Sequence, residues 1–195
     1  VDGHWQQMPG DELLARICED AGHLPIVAED LGIITPEVTA LRKKHRLPGM
    51  SVLQFGFDEY EDNPHKPANI KQDSVVYTGT HDNDTTKGWY PGLDKDGKNY
   101  ILHTLNIPHT VQDDEQLNER TAVLVVDRLI DNAMNSQASI SMIPMQDCLH
   151  LGSEARMNTP GTIEGNWQWS FQWEHIHDEF AADMRLRIET SKRLG

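Results

Sequence analysis

The sequence predicts an α/β protein with a parallel sheet. Two observations carry that reading. Short apolar runs alternate with longer stretches of helical periodicity, the pattern of βαβ units. Each apolar run also ends on a polar cluster, and in parallel sheets ligand-binding groups gather at the C-terminal ends of strands.

In order along the chain, Asp11 to Ala21 reads as a short helix with Leu13, Leu14 and Ile17 on one face and Gly22 as a stop. "LPIVA", 24 to 28, reads as a strand ending at Glu29-Asp30. "ITPEVTALRKKHR" starts a helix that Thr35 can cap, with Pro36 at the first helical position. "MSVLQFGF", 50 to 57, is the second strand and ends at Asp58; 59 to 72 reads as a polar loop. "SVVYTGT", 74 to 80, is the third strand and runs into His81, Asp82 and Asn83. "GLDKDGKN", 92 to 99, reads as a turn region. A long helix is expected from about Glu115 to Asn135, with Leu117, Leu124, Ile130 and Met134 on its apolar side. "SISMIPM", 139 to 145, is the fourth strand, ending at Gln146-Asp147. Ile176, Phe180, Met184 and Ile188 are spaced by four and predict an amphipathic tail helix.

The 195 residues suffice for one sizeable core, and neither a repeat nor a linker divides them. A mean hydropathy of -0.58 fits a soluble globular protein. No apolar run approaches about 20 residues, so no membrane span is expected. The polar, acidic first residues lack the basic and apolar regions of a signal peptide. The first residue is not Met, and a piece of a longer chain is expected. The formal charge of -14, from 17 basic and 31 acidic side chains, argues against nucleic acid and anionic membranes as partners. A neutral substrate is unaffected by such a field. Cys18 and Cys148 form no spaced pair and are expected to be buried free thiols in a reducing compartment.

Polar endings on four strands of one edge would make a site. Two carboxylates on neighbouring strand ends suit glycoside chemistry, which needs a proton donor and a second carboxylate. Glu29 fits the donor, because an apolar strand behind it would desolvate it and raise its pKa. Asp82, among polar neighbours, would stay ionised, and His81 and Asn83 could bond sugar hydroxyls. Each has a plainer reading. Asp82 could cap a helix or close a turn, and Glu29-Asp30 could be a helix-dipole or cap feature. "HDND" could bind a divalent metal. Trp167, Trp169, Phe171 and Trp173 alternate in "GNWQWSFQW", which predicts an extended aromatic face, either core or a stacking surface for sugar rings. Arg156 is either a fork donor to a carboxylate or ligand, or a surface charge.

The segments "PIVAEDLGIITPEVTALR", "LPGMSVLQFGF", "VVYTGTHDNDTTKGW" and "QDCLHLGSEARMNTPGTIEGNW" resemble the 4-α-glucanotransferases, or amylomaltases, of glycoside hydrolase family 77. The resemblance runs in order over nearly the whole chain and is weakest from about 91 to 135. It implies the C-terminal half of a (β/α)8 barrel, about strands five to eight, as a single partial domain over residues 1–195. It also implies transfer of α-1,4-glucan segments between malto-oligosaccharides by a retaining double displacement, in the cytoplasm, with no metal or other cofactor. By resemblance Glu29 is the general acid/base and Asp82 the transition-state stabiliser. Asp30, Asp58, His81 and Asn166 match positions that line glucan subsites. Two departures stand out. The family's nucleophile lies in a motif like "RIDH", which this sequence lacks, and Ser170 stands where an Arg is expected. Taken alone, the chain is therefore also readable as an inactive glucan-binding fragment, and hydrolysis of the α-amylase type is a third reading. A half barrel would expose unpaired strand edges, so the missing half or a self-association partner is expected.

Overall fold

In a computed structural model, which describes residues 3–4, 6–21, 26–108, 115–176 and 178–193, the sheet has three parallel strands. Helix α1 spans Gly10–Ala21 and α2 spans Pro36–Lys44. Thr35 caps α2 by accepting from the Val38 N–H at 3.4 Å, and Pro36 opens it. Asp11 of α1 pairs with Lys44 at 2.6 Å and His45 at 2.7 Å, which fastens the two helices. The remaining strands and α-helices are β1 (Gly49–Val52), β2 (Ser74–Tyr77), α3 (Thr86–Trp89), α4 (Lys95–Thr104), α5 (Glu115–Asn135), β3 (Ile140–Met142), α6 (Met145–Cys148) and α7 (Asp178–Thr190). The order across the sheet is β1-β2-β3, with Gly49 opposite Ser74 and Val75 opposite Ile140.

The core lies between this sheet and the helices that follow it. Leu53 and Val76 are sealed against Ile101 and Leu102 of α4 and Leu129 of α5. The buried stripe of α5 runs through Ala122, Val125, Val126, Leu129, Ile130 and Ala133. Ile130 and Met134 are inside as expected, but Leu124 is 47% exposed. Met184 and Ile188 of α7 pack on Val126, Ile130 and Met134, as the spacing of four predicts. Arg187 anchors the same helix to Asp127 at 2.8 Å and Asp131 at 2.7 Å.

Several expectations are corrected. The segment 26–30 is not a strand; its Ala28 N–H reaches Pro48 O at 2.8 Å, and no ladder follows (Leu24 and Pro25 of the expected strand, and Gly22, lie outside the described residues). Within the expected turn region 92–99, α4 begins at Lys95. Asp94 caps that helix through the Gly97 N–H at 2.8 Å, so the Asp and Gly read as turn signals are its first-turn chemistry. The alternating aromatic segment is neither strand nor core: Trp167 is 62% and Trp173 76% exposed. Its rings touch one another instead, Phe171 and Trp173 edge-on at 5.4 Å. Cys18 is exposed rather than buried. Cys148 is partly buried, and burial together with the nearby Asp147 charge pushes its thiol up to about 11. Among the described residues, no helix is long and apolar enough to cross a membrane.

Candidate active site

The chain leaves β2 through Thr78 and re-enters regular structure at α3, and both ends of that excursion meet one carboxylate. Asp147 of α6 is 1% exposed. It accepts from Thr78 Oγ1 at 2.5 Å, the Thr86 N–H at 2.8 Å and Thr86 Oγ1 at 2.8 Å. Burial raises its pKa, and the Thr78 and Thr86 bonds work against that rise. The polar ending Gln146-Asp147 is therefore a structural knot. Gln146 is also buried, and it donates to Ala155 O at 3.2 Å.

Above the knot lies a cleft of about 170 Å³, lined among others by Thr80, His81, Asn83, Asp84, Arg156 and Trp167. Asn83 closes the turn at its floor by accepting from the Thr80 N–H at 2.9 Å and Thr80 Oγ1 at 2.8 Å. The loop 156–167 wraps over this turn. Asn158 Nδ2 donates to Asp82 Oδ1 at 2.6 Å, and the Asn158 N–H donates to His81 O at 3.1 Å. Arg156 donates from Nη2 to Asp82 O at 2.7 Å and from Nε to Asn158 O at 2.9 Å. The Trp167 ring lies 5.0 Å from the His81 ring, and His81 Nε2 lies 3.4 Å from Asp82 Oδ1. Gly165, with φ at 80°, and Trp167 itself, at 61°, bend the backbone so that the indole can reach back. Asp82 has the polar surroundings expected of it.

Glu29, Asp30, Asp58 and Asn166 are not among the residues that line this cleft. Asp58 closes its own turn, accepting from the Tyr60 N–H at 3.1 Å and Asn63 Nδ2 at 2.8 Å, with Lys66 3.6 Å away. Asn166 braces the loop that carries Trp167. It accepts from the Thr159 N–H at 2.9 Å and donates to Thr162 O at 3.1 Å. Asp30 sits at the opening end of β1, where the Met50 N–H donates to its Oδ1 at 2.7 Å. Arg42 Nε approaches Asp30 Oδ2 at 3.2 Å as an ion pair, without the alignment of a hydrogen bond. Glu29 is exposed, so the desolvation expected from an apolar strand behind it is absent. The expected common edge is thus corrected: His81 and Asp82 follow β2 and Asp58 follows β1, whereas residues 28–30 lie beside the start of β1.

The grip of Asn158 on Asp82 was not anticipated. The two residues are 76 apart, and no spacing rule links them. The only signal was the polar, Gly- and Pro-containing character of the segment 152–162, which marks a loop rich in hydrogen-bonding groups. Arg156 is half-buried at the cleft rather than a plain surface charge, and it donates to main-chain carbonyls rather than to a carboxylate. Among the described residues, no group of three or more His, Cys, Asp or Glu side chains is placed to hold a metal ion.

A sequence model of the family described as 4-alpha-glucanotransferase matches residues 1–175. The 4-alpha-glucanotransferase of Thermus thermophilus is 43% identical over all of this chain, which covers 38% of that relative. The chloroplastic/amyloplastic 4-alpha-glucanotransferase of Solanum tuberosum is 42% identical over 94% of the chain, or 30% of its own length. Among solved structures, an amylomaltase from Streptococcus agalactiae in complex with acarbose matches 98% of this chain and 36% of its own, with a TM-score of 0.83 at 30% identity. An amylomaltase from Corynebacterium glutamicum, at 16% identity and a TM-score of 0.54, shares the fold. The chain spans 30–38% of the length of these two curated relatives. With a match over residues 1–175, the chain belongs to the 4-alpha-glucanotransferase family.

Proposed function

We propose that the protein is a 4-α-glucanotransferase that moves α-1,4-glucan segments between malto-oligosaccharides, and that this chain supplies strands five to eight of a (β/α)8 barrel. The observation that carries the reading is the Asp82 carboxylate, fixed beside a cleft at the end of a parallel strand in a chain of this family. An anion held there by a rigid scaffold suits an oxocarbenium-like transition state. A carboxylate nucleophile contributed outside this chain attacks the sugar C1 while the C1–O4 bond breaks, and Glu29 protonates the departing O4. The acceptor's 4-hydroxyl then attacks C1, gives its proton to Glu29, and displaces the nucleophile. Two inversions retain the α configuration, which requires the nucleophile and Glu29 carboxyls about 5–5.5 Å apart.

This mechanism places Glu29 on the same edge as Asp82. Residues 28–30 lie beside the start of β1, so the reaction requires Glu29 to be brought to that edge in the full-length protein. His81, Asp30, Asp58 and Asn166 then line the glucan subsites, and no cofactor takes part. The isolated 195-residue chain, without the "RIDH"-like nucleophile motif, binds glucan but does not turn it over. The test is incubation of the full-length protein with maltotriose. Glucose together with longer maltodextrins supports transfer, glucose and maltose alone indicate hydrolysis, and an unchanged substrate rejects both.

A further inference from the structure

We propose that Arg156 is a positioning residue for Asp82, acting through main-chain carbonyls and without a bond to the sugar; this rests on the glucanotransferase reading of the site. Arg156 lines the cleft, but its Nε and Nη2 are already engaged by main-chain carbonyls. Asp82 and Glu154 stand close in sequence or space, yet its donors go to Asp82 O at 2.7 Å and Asn158 O at 2.9 Å. One guanidinium therefore ties the turn after β2 to the loop that covers it. Its two acceptors are the backbones of the two residues joined by the 2.6 Å bond between Asn158 Nδ2 and Asp82 Oδ1. Holding both backbones fixes the distance across which that side-chain bond forms. The bond occupies Oδ1, which His81 Nε2 also approaches at 3.4 Å. Among the described residues, Oδ2 has no such partner and is left for substrate.

A lysine cannot reproduce this arrangement, because a single ammonium lacks the rigid fork that spans two carbonyls. Loosening the tie lets the Asp82 carboxylate drift by a fraction of an ångström to an ångström. Such displacements weaken transition-state contacts more than ground-state binding.

The experiment uses the full-length protein with maltotriose. Arg156→Ala and Arg156→Lys are compared with wild type for kcat and KM, with concentrations taken from the folded fraction. Both variants should lose about tenfold or more in kcat while KM stays within about threefold. Low millimolar guanidinium should restore part of the Arg156→Ala rate without changing its melting temperature or the wild-type rate. Arg156→Ala combined with Asn158→Ala should lose no more than the worse single variant, since both act through one carboxylate. Unchanged kcat per folded molecule would overturn the proposal, as would a raised KM at unchanged kcat, which would make Arg156 a sugar ligand. If Arg156→Ala does not fold, the Lys variant decides by the same criteria. A wild-type protein with no transfer activity removes the functional reading and this proposal with it; an active wild type with an indifferent Arg156 removes this proposal alone.

Discussion

Asp82 and Glu29, the two carboxylates assigned to the same reaction, sit in opposite structural circumstances. Asp82 follows β2, the middle strand, which has neighbours on both sides. Its turn is pinned below by Asp147 and covered by the loop 156–167. Glu29 lies outside β1, an edge strand, on a segment with one main-chain bond to Pro48. The Gly49 N–H bonds to Asp73 O on the inner side, so alternation turns the Met50 and Val52 N–H groups outward. A strand beyond β1 would accept those donors. Here Asp30 Oδ1 takes the first at 2.7 Å and His65 Nδ1 the second at 3.2 Å. A site residue on an internal strand is thus fixed by this chain's own contacts, whereas one on an edge depends on what pairs there. Two side chains stopper the edge in the meantime.

The largest effects test whether both carboxylates act in the full-length protein despite this difference. Asp82→Asn should lower kcat by about 10²–10³-fold, and Glu29→Gln by at least about 100-fold, measured as initial rates on maltotriose. Near-normal turnover of either variant removes its assigned role.

Next comes the rigidity of the Asp82 side. Asp147→Ala strands the Thr78 and Thr86 donors in the core and should cost about 3 kcal/mol in urea unfolding. A loss under about 1 kcal/mol, the ordinary net worth of one hydrogen bond, would show that the knot is not what holds the turn. A smaller loss is expected on the Glu29 side. Arg42→Ala removes bonds to Leu47 O and to Asp73, along with the ion pair to Asp30. It should cost about 1–2 kcal/mol and leave the Asp82 turn in place, as read by amide exchange at residues 78–86.

The smallest effect depends on pH. His65 accepts the Val52 N–H, which requires a neutral Nδ1, and burial lowers its pKa below 6.5 against the opposing pull of Asp30 and Asp58. Its contribution is complete above pH 6.5 and declines as pH falls through 6.5 toward the lower folded-state value, because the unfolded chain takes up the proton first. The melting temperature should therefore drop between pH 7.5 and 5.5, with a shallower slope in His65→Asn. Identical slopes would show that the edge is not closed through this imidazole.

The sequence made the α/β alternation legible wherever apolar spacing and caps agreed. Thr35 with Pro36 marked α2, and Met184 with Ile188 marked the docked face of α7. Helix α4 escaped because Asp94 and Gly97 carry the chemistry of a turn and of an N-cap alike, and only Ile101 and Leu102, buried further on, decide between them. Residues 26–28 have the composition of a strand, but a strand also needs a partner, which composition does not report. His81 and Asp82 were legible as a strand ending. Asp147 looked the same in sequence and proved to be a core acceptor, because its role is set by two threonines far from it in the chain. Asn158 was invisible for the same reason.

The Asp147 knot also limits how this site can diversify. Thr78 and Thr86 are tethered to the two oxygens of a single buried group, so the seven residues between them form a span of fixed length. Insertions would tear one tether loose, and deletions would pull the other. Variation in what this turn recognises must therefore come from exchanging side chains within a constant frame.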